Sequence, residues 1–125
     1  MQIKKTSRLF IYCCVVPAII TEKNEKIKKL KRIGSNVGLL FQIVDDLIDY
    51  KGNYKIAGKK TNKDKKRGKA TLISLLGYRN AIKYCDNIIL DINKNLKKYG
   101  SKSKNLKETL DYILNRDKWK KIINF

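Results

Sequence analysis

The sequence predicts an all-α fold, an antiparallel helix bundle, from three observations. Apolar residues recur at spacings of three and four along most of the chain. No stretch alternates apolar and polar residues for long enough to make a strand. A single Pro and seven Gly stand in 125 residues, so breakers are few. With 42% apolar residues the chain has the composition of one folded domain with a modest core. No repeat and no linker divides it.

Residues 3–20 read as the first helix. Leu9 to Ile20 is the most apolar run of the chain, twelve residues interrupted by Pro17. Apolar on most faces, this helix suits a central, buried position in the bundle. The run is short of the about 20 residues that cross a bilayer. It also lacks the small-residue cleavage site that would follow the core of a signal peptide behind Lys4, Lys5 and Arg8.

A second helix is predicted over 22–50. Thr21 is its N-cap, and Glu22 and Glu25 place negative charge in the first turn. Ile27, Leu30, Ile33, Val37, Leu40, Phe41, Val44, Leu47 and Ile48 form its apolar stripe. Gly34 and Gly38 lie four apart inside it. Each costs about 1 kcal/mol in helix propensity, which points to close approach by a neighbouring helix.

Residues 51–70 read as a basic loop, punctuated by Gly52, Gly58 and Gly68 and holding nine Lys or Arg against one Asp. Helical spacing resumes over 71–76 and 78–99, the latter through Ala81, Ile82, Cys85, Ile88, Ile89, Ile92 and Leu96. Gly100 is a natural stop. A last helix is predicted over 105–116 on Leu106, Leu110, Ile113 and Leu114.

Composition excludes several chemistries. The chain has no His, so a Ser-His-Asp triad, a histidine base and a His-ligated zinc cannot be built from it. Cys13, Cys14 and Cys85 give neither a disulfide framework nor metal-ligand spacing. They read as buried reduced thiols of a cytoplasmic protein. Thirty Lys+Arg against 11 Asp+Glu give a net charge of +19, which invites a nucleic-acid reading. The excess is mostly Lys, 25 against 5 Arg, and comes with 17 Ile and 11 Asn, the residues favoured by AT-rich coding DNA. No recognition module accompanies the basic loop, and Tyr54 is its only aromatic residue. Nucleic acid is therefore a minor alternative.

One constellation stands out: Asp45, Asp46 and Asp49 at the end of the long helix. Spacings of three and four put Asp49 on one face with Asp46 and Asp45. Negative charge is unwelcome at a helix C-terminus, so the cluster calls for cations. These are either the lysines that follow it or a metal that prefers oxygen ligands, such as Mg²⁺. Lys55, Lys59, Lys60, Lys63, Lys65, Lys66, Arg67 and Lys69 come next. Carboxylates for metal beside ammonium groups for phosphate are what a diphosphate requires.

The segment Phe41-Gln42-Ile43-Val44-Asp45-Asp46-Leu47-Ile48-Asp49 resembles the second aspartate-rich motif of the trans-isoprenyl diphosphate synthases. Gly58-Lys59, Asp64, Lys69-Ala70-Thr71 and Ser74-Leu75-Leu76-Gly77 follow in the family's order. Upstream, Lys5-Thr6 before Leu9-Phe10 is similar to its Lys-Thr-Gly segment. The whole is most similar to bacterial farnesyl or geranylgeranyl diphosphate synthases.

The resemblance implies the C-terminal portion of an isoprenoid-synthase fold over residues 1–125. The implied activity is a cytoplasmic transferase that condenses an allylic diphosphate with isopentenyl diphosphate and uses Mg²⁺. It implies Asp45 as the direct metal ligand, with Asp46 and Asp49 holding metal or its water shell. Lys5, Thr6, Gln42 and Lys59 are implied as contacts to the allylic diphosphate, Lys5 and Lys59 with a catalytic part. The family's first aspartate-rich motif has no counterpart here. The chain is thus expected to be inactive by itself and to act as a homodimer or with a second chain that supplies the other half. A non-catalytic partner subunit of a prenyl synthase is the alternative.

Overall fold

One long helix organises the molecule, and the others pack around it. The computed structural model describes residues 2–56 and 72–116, with side chains described over 5–52 and 73–116. The helices are α1 (Gln2–Ile20), α2 (Ile27–Ile56), α3 (Leu72–Leu76), α4 (Tyr78–Leu96) and α5 (Lys104–Asn115). No strand occurs among the described residues, and the fold is all-α.

The stripe on α2 is the centre of the core. Ile33, Val37, Leu40, Val44 and Leu47 are buried, and so is Ile43. Against them pack Ala81, Cys85, Ile88, Ile92 and Leu96 of α4 and Leu110, Ile113 and Leu114 of α5. Each such aliphatic side chain stabilises the fold by about 1.5–3 kcal/mol relative to exposure.

The two glycines of α2 admit α1. A Cβ on Gly34 would stand 2.7 Å from the Ile11 Cα, and one on Gly38 would stand 2.7 Å from the Ser7 Cα. Only a residue without a side chain permits backbones to meet so closely. Residue numbers fall along α1 as they rise along α2, so the pair is antiparallel. α4 is antiparallel to α2 as well. Near one end Arg32 donates from Nε and Nη2 to Asp91 at 3.1 and 2.9 Å, and Asn36 donates to Asp91 at 2.7 Å. Near the other end Tyr50 stacks on Tyr78 at 5.5 Å.

Several local expectations are corrected. Thr21 does not cap α2. Its hydroxyl donates back to the Pro17 carbonyl at 2.8 Å, closing α1. Glu22 takes φ 56°, Glu22 N–H donates to the Ile19 carbonyl, and Lys23 N–H donates to the Ala18 carbonyl. This is the Schellman arrangement, with Glu22 where Gly is usual. A 3-10 turn over Asn24–Lys26 then leads into α2 at Ile27.

α2 also runs on to Ile56, so the first six residues of the predicted basic loop are helical. Once a helix is formed, a lone glycine such as Gly52 costs only about 1 kcal/mol, and lysines suit a helix C-terminus. The rest of that loop, 57–70, lies outside the described residues. α4 ends at Leu96 rather than 99. A 3-10 stretch follows over Lys97–Ser103, broken by Gly100 at φ 52°.

α1 is not the buried central helix the sequence predicts. It packs on α2, while Leu9, Tyr12, Ile19 and Ile20 are exposed and Ala18 alone among its described side chains is buried. Cys13 is exposed and Cys14 half-buried; only Cys85 is buried. No described element lies over the outer side of α1. Among the described residues no helix is long and apolar enough to cross a membrane.

Candidate functional site

The acidic segment lies in the second half of α2, about 28 Å from the Asn24–Lys26 turn at 1.5 Å per residue. Seven helical residues follow Asp49, so the cluster is not at the helix C-terminus as the sequence predicts. Asp45 and Asp46 are half-buried, and Asp49 is exposed. Gln42, one turn earlier, is half-buried. α1 brings its own N-terminal turn to the same level. The pairings Ile11 with Gly34 and Ser7 with Gly38 set a register that puts Lys5 within a turn of Gln42. Along the helix axis Lys5 is then about 8 Å from Asp45. Lys5 is exposed and Thr6 half-buried. Helix register thus places Lys5, Thr6, Gln42 and the aspartates at one level of the bundle, with Lys5, two residues from Ser7, on the side of α1 turned away from α2. Lys59 lies outside the described residues.

A residue that the sequence reading passes over completes this level. The Arg116 guanidinium, at the C-terminus of α5, donates from Nη2 to Asp45 Oδ1. Its Cζ lies 4.6 Å from the centre of the Phe41 ring, which in turn packs on Phe10 of α1 at 5.6 Å. Phe41 and Asp45 are four apart on one helix face. The planar guanidinium therefore lies on an aromatic floor with a carboxylate at its edge, a position suited to Arg and not to Lys. Arg116 Nε is buried and has no hydrogen-bond partner among the described residues. The signal was present in the composition. Where Lys outnumbers Arg 25 to 5, an Arg is worth testing for a place that needs its shape, as Arg32 fills against Asp91.

No three His, Cys, Asp or Glu among the described residues converge as metal ligands, so Asp45, Asp46 and Asp49 do not close a metal site by themselves. Their donor chemistry nevertheless fits Mg²⁺, which takes one or two carboxylates and completes its shell with water and phosphate oxygens.

The polyprenyl synthetase family model matches residues 1–113. The chain belongs to the polyprenyl synthetase family. It is 34% identical over 119 residues to the farnesyl diphosphate synthase of Micrococcus luteus, covering 94% of this chain and 41% of that protein. With the dimethylallyltranstransferase of Fischerella ambigua (strain UTEX 1903) it shares 35% identity over 90% of this chain and 33% of that protein. The farnesyl diphosphate synthase of Escherichia coli (strain K12) is 34% identical over 71% of this chain and 31% of its own length. The chain thus spans well under half the length of these polyprenyl synthetase relatives. No solved structure is a significant match.

Proposed function

We propose that this chain is the part of a prenyltransferase that carries the second aspartate-rich motif, acting on an allylic diphosphate and isopentenyl diphosphate. The observation that carries this reading is the family match over residues 1–113, with relatives named as farnesyl diphosphate synthases. The acidic segment of α2 supports it, because its carboxylates and Lys5 stand at one level of the bundle.

In the reaction, the allylic C–O bond breaks and the diphosphate leaves with the bonding electrons. The isopentenyl double bond attacks the allylic carbon, and loss of a proton restores a double bond in the lengthened product. Bound Mg²⁺ supplies positive charge to the departing diphosphate. Asp45 would hold that ion, with Asp46 and Asp49 orienting its waters. Lys5 and Lys59 bring point charges to phosphate oxygens, Thr6 offers a hydroxyl and Gln42 an amide to the same group, and the half-burial of Thr6 and Gln42 strengthens their contacts. A cytoplasmic setting agrees with three cysteines that form no disulfide.

The outer side of α1 supports a partner. Exposed Leu9, Tyr12, Ile19 and Ile20 make an apolar face of the kind that marks an interaction surface. Its shallow groove is lined by Arg8, Tyr12, Val16, Ile19 and Lys31. A second polypeptide with the other aspartate-rich motif would cover that face and complete the site. The same face favours the second reading, a non-catalytic subunit that attaches to an active prenyl synthase.

Co-expression decides between the two. The chain is produced with a polypeptide supplying the remaining motif, and labelled isopentenyl diphosphate is followed into product. Product that disappears with Asp45→Ala supports the catalytic reading. Product unaffected by Asp45→Ala, with the chain still bound, supports the subunit reading.

A further inference from the structure

The pairing of Arg116 with Asp45 bears on how the site is filled. Asp45 is the carboxylate that the proposed function gives to a divalent cation, yet here it already serves a cation supplied by α5. The guanidinium cannot drift away cheaply. Phe41 supports its face, Phe10 supports Phe41, and the side chains of Arg116 and Asp45 are only 24% and 39% exposed. Nor is Arg116 fully satisfied where it rests, since its buried Nε lacks a partner among the described residues. An arginine held by one bond and short of another is poised to exchange partners.

We infer that Arg116 is a positioning residue that closes Asp45 to divalent cations, because guanidinium and metal compete for the same carboxylate. Two cations on one carboxylate repel, and the effect is strongest where water is partly excluded. A metal therefore binds Asp45 more weakly while Arg116 holds Oδ1 than after it leaves. The leaving guanidinium carries five donors, and an incoming phosphate can use them. The inference rests on the reading of Asp45 as a metal carboxylate.

Mn²⁺ serves as the probe, with the free ion counted by its paramagnetic resonance signal. The full chain, Arg116→Gln, Asp45→Asn and the double variant are compared without diphosphate. The expected result is Mn²⁺ binding about twofold to fivefold tighter in Arg116→Gln, the range a partly exposed ion pair holds back. The gain should vanish in the double variant. If Arg116→Gln binds no tighter while Asp45→Asn weakens binding in the wild-type chain, Asp45 remains a metal carboxylate and the competition is overturned. If Asp45→Asn changes nothing in either background, the reading of Asp45 falls and the inference with it. Should Arg116→Gln fail to give a native circular-dichroism spectrum, Arg116→Lys decides. It keeps the charge but loses the planar stack, so it should also bind Mn²⁺ more tightly than wild type. Equal or weaker binding by that variant overturns the inference.

Discussion

Gly38 of α2 lies against Ser7 of α1 so closely that a Cβ on the glycine would stand 2.7 Å from the serine Cα. This contact sets the α1–α2 register, and the register brings Lys5 and Thr6 to the level of the acidic segment of α2. The close packing of two helices therefore determines which residues can share the site.

Gly38→Ala should lower stability. The obstacle is backbone, so relief requires α1 to move, at a cost of about 1–3 kcal/mol typical of overpacking. Gly52 is the internal control, since nothing lies within 4 Å of its Cβ position. Gly52→Ala should raise stability by up to about 1 kcal/mol through helix propensity. Urea unfolding of both variants checks the pair, and equal shifts of the same sign would refute the packing argument.

Glu22→Gly should stabilise the chain. Glu22 is exposed at φ 56°, where a side chain costs about 1–2 kcal/mol. Relief of that strain exceeds the glycine's added unfolded-state entropy, leaving a gain of about 0.5–1 kcal/mol. Thermal melts measure it, and a lower midpoint would contradict the assigned cap.

Thiol labelling should separate the cysteines. Burial, then the neighbouring Cys13, pushes the Cys14 thiol above its ordinary value of 9.0. At pH 8 native Cys14 therefore holds less thiolate than the same residue unfolded. Because the folded state grips this proton more tightly, its contribution to stability is complete below pH 9 and is lost as pH rises through the folded value. With a disulfide reagent Cys13 should react first, Cys14 more slowly and Cys85 last. Native Cys14 reacting as fast as in urea would contradict the burial.

Much of this was legible in the residues. Spacings of three and four located the helices, and two glycines four apart in α2 announced the close neighbour. The misses have physical causes. Lys51 and Gly52 resemble loop residues, but a helix already formed extends through one glycine at little cost. Thr21 followed by Glu22 resembles a helix start, but a threonine hydroxyl can equally bond a carbonyl four residues back. α1 reads as central because its apolar residues surround it, and only the assembled packing shows that α2 covers one side. Arg116 lies 71 residues from Asp45, and no local pattern links them.

Asp45 and Arg116 should also be coupled in stability. A double-mutant cycle with Asp45→Asn and Arg116→Gln should give a coupling of about 0.5–1 kcal/mol, at the upper end for a pair that water still reaches. Additive effects within error would mean that the pair contributes nothing to folding.

The central claim is that the acidic segment of α2 serves a diphosphate together with a metal. Calorimetric titration of inorganic diphosphate into the full chain at physiological salt tests it most directly. Mg²⁺ in one series, a chelator in a second and the Asp45→Ala variant in a third isolate the terms. The account predicts saturable binding with Mg²⁺, lost with chelator and weakened at least about tenfold, or 1.4 kcal/mol, by Asp45→Ala. Equal binding in all three series would show lysine charge acting alone, and would contradict the account.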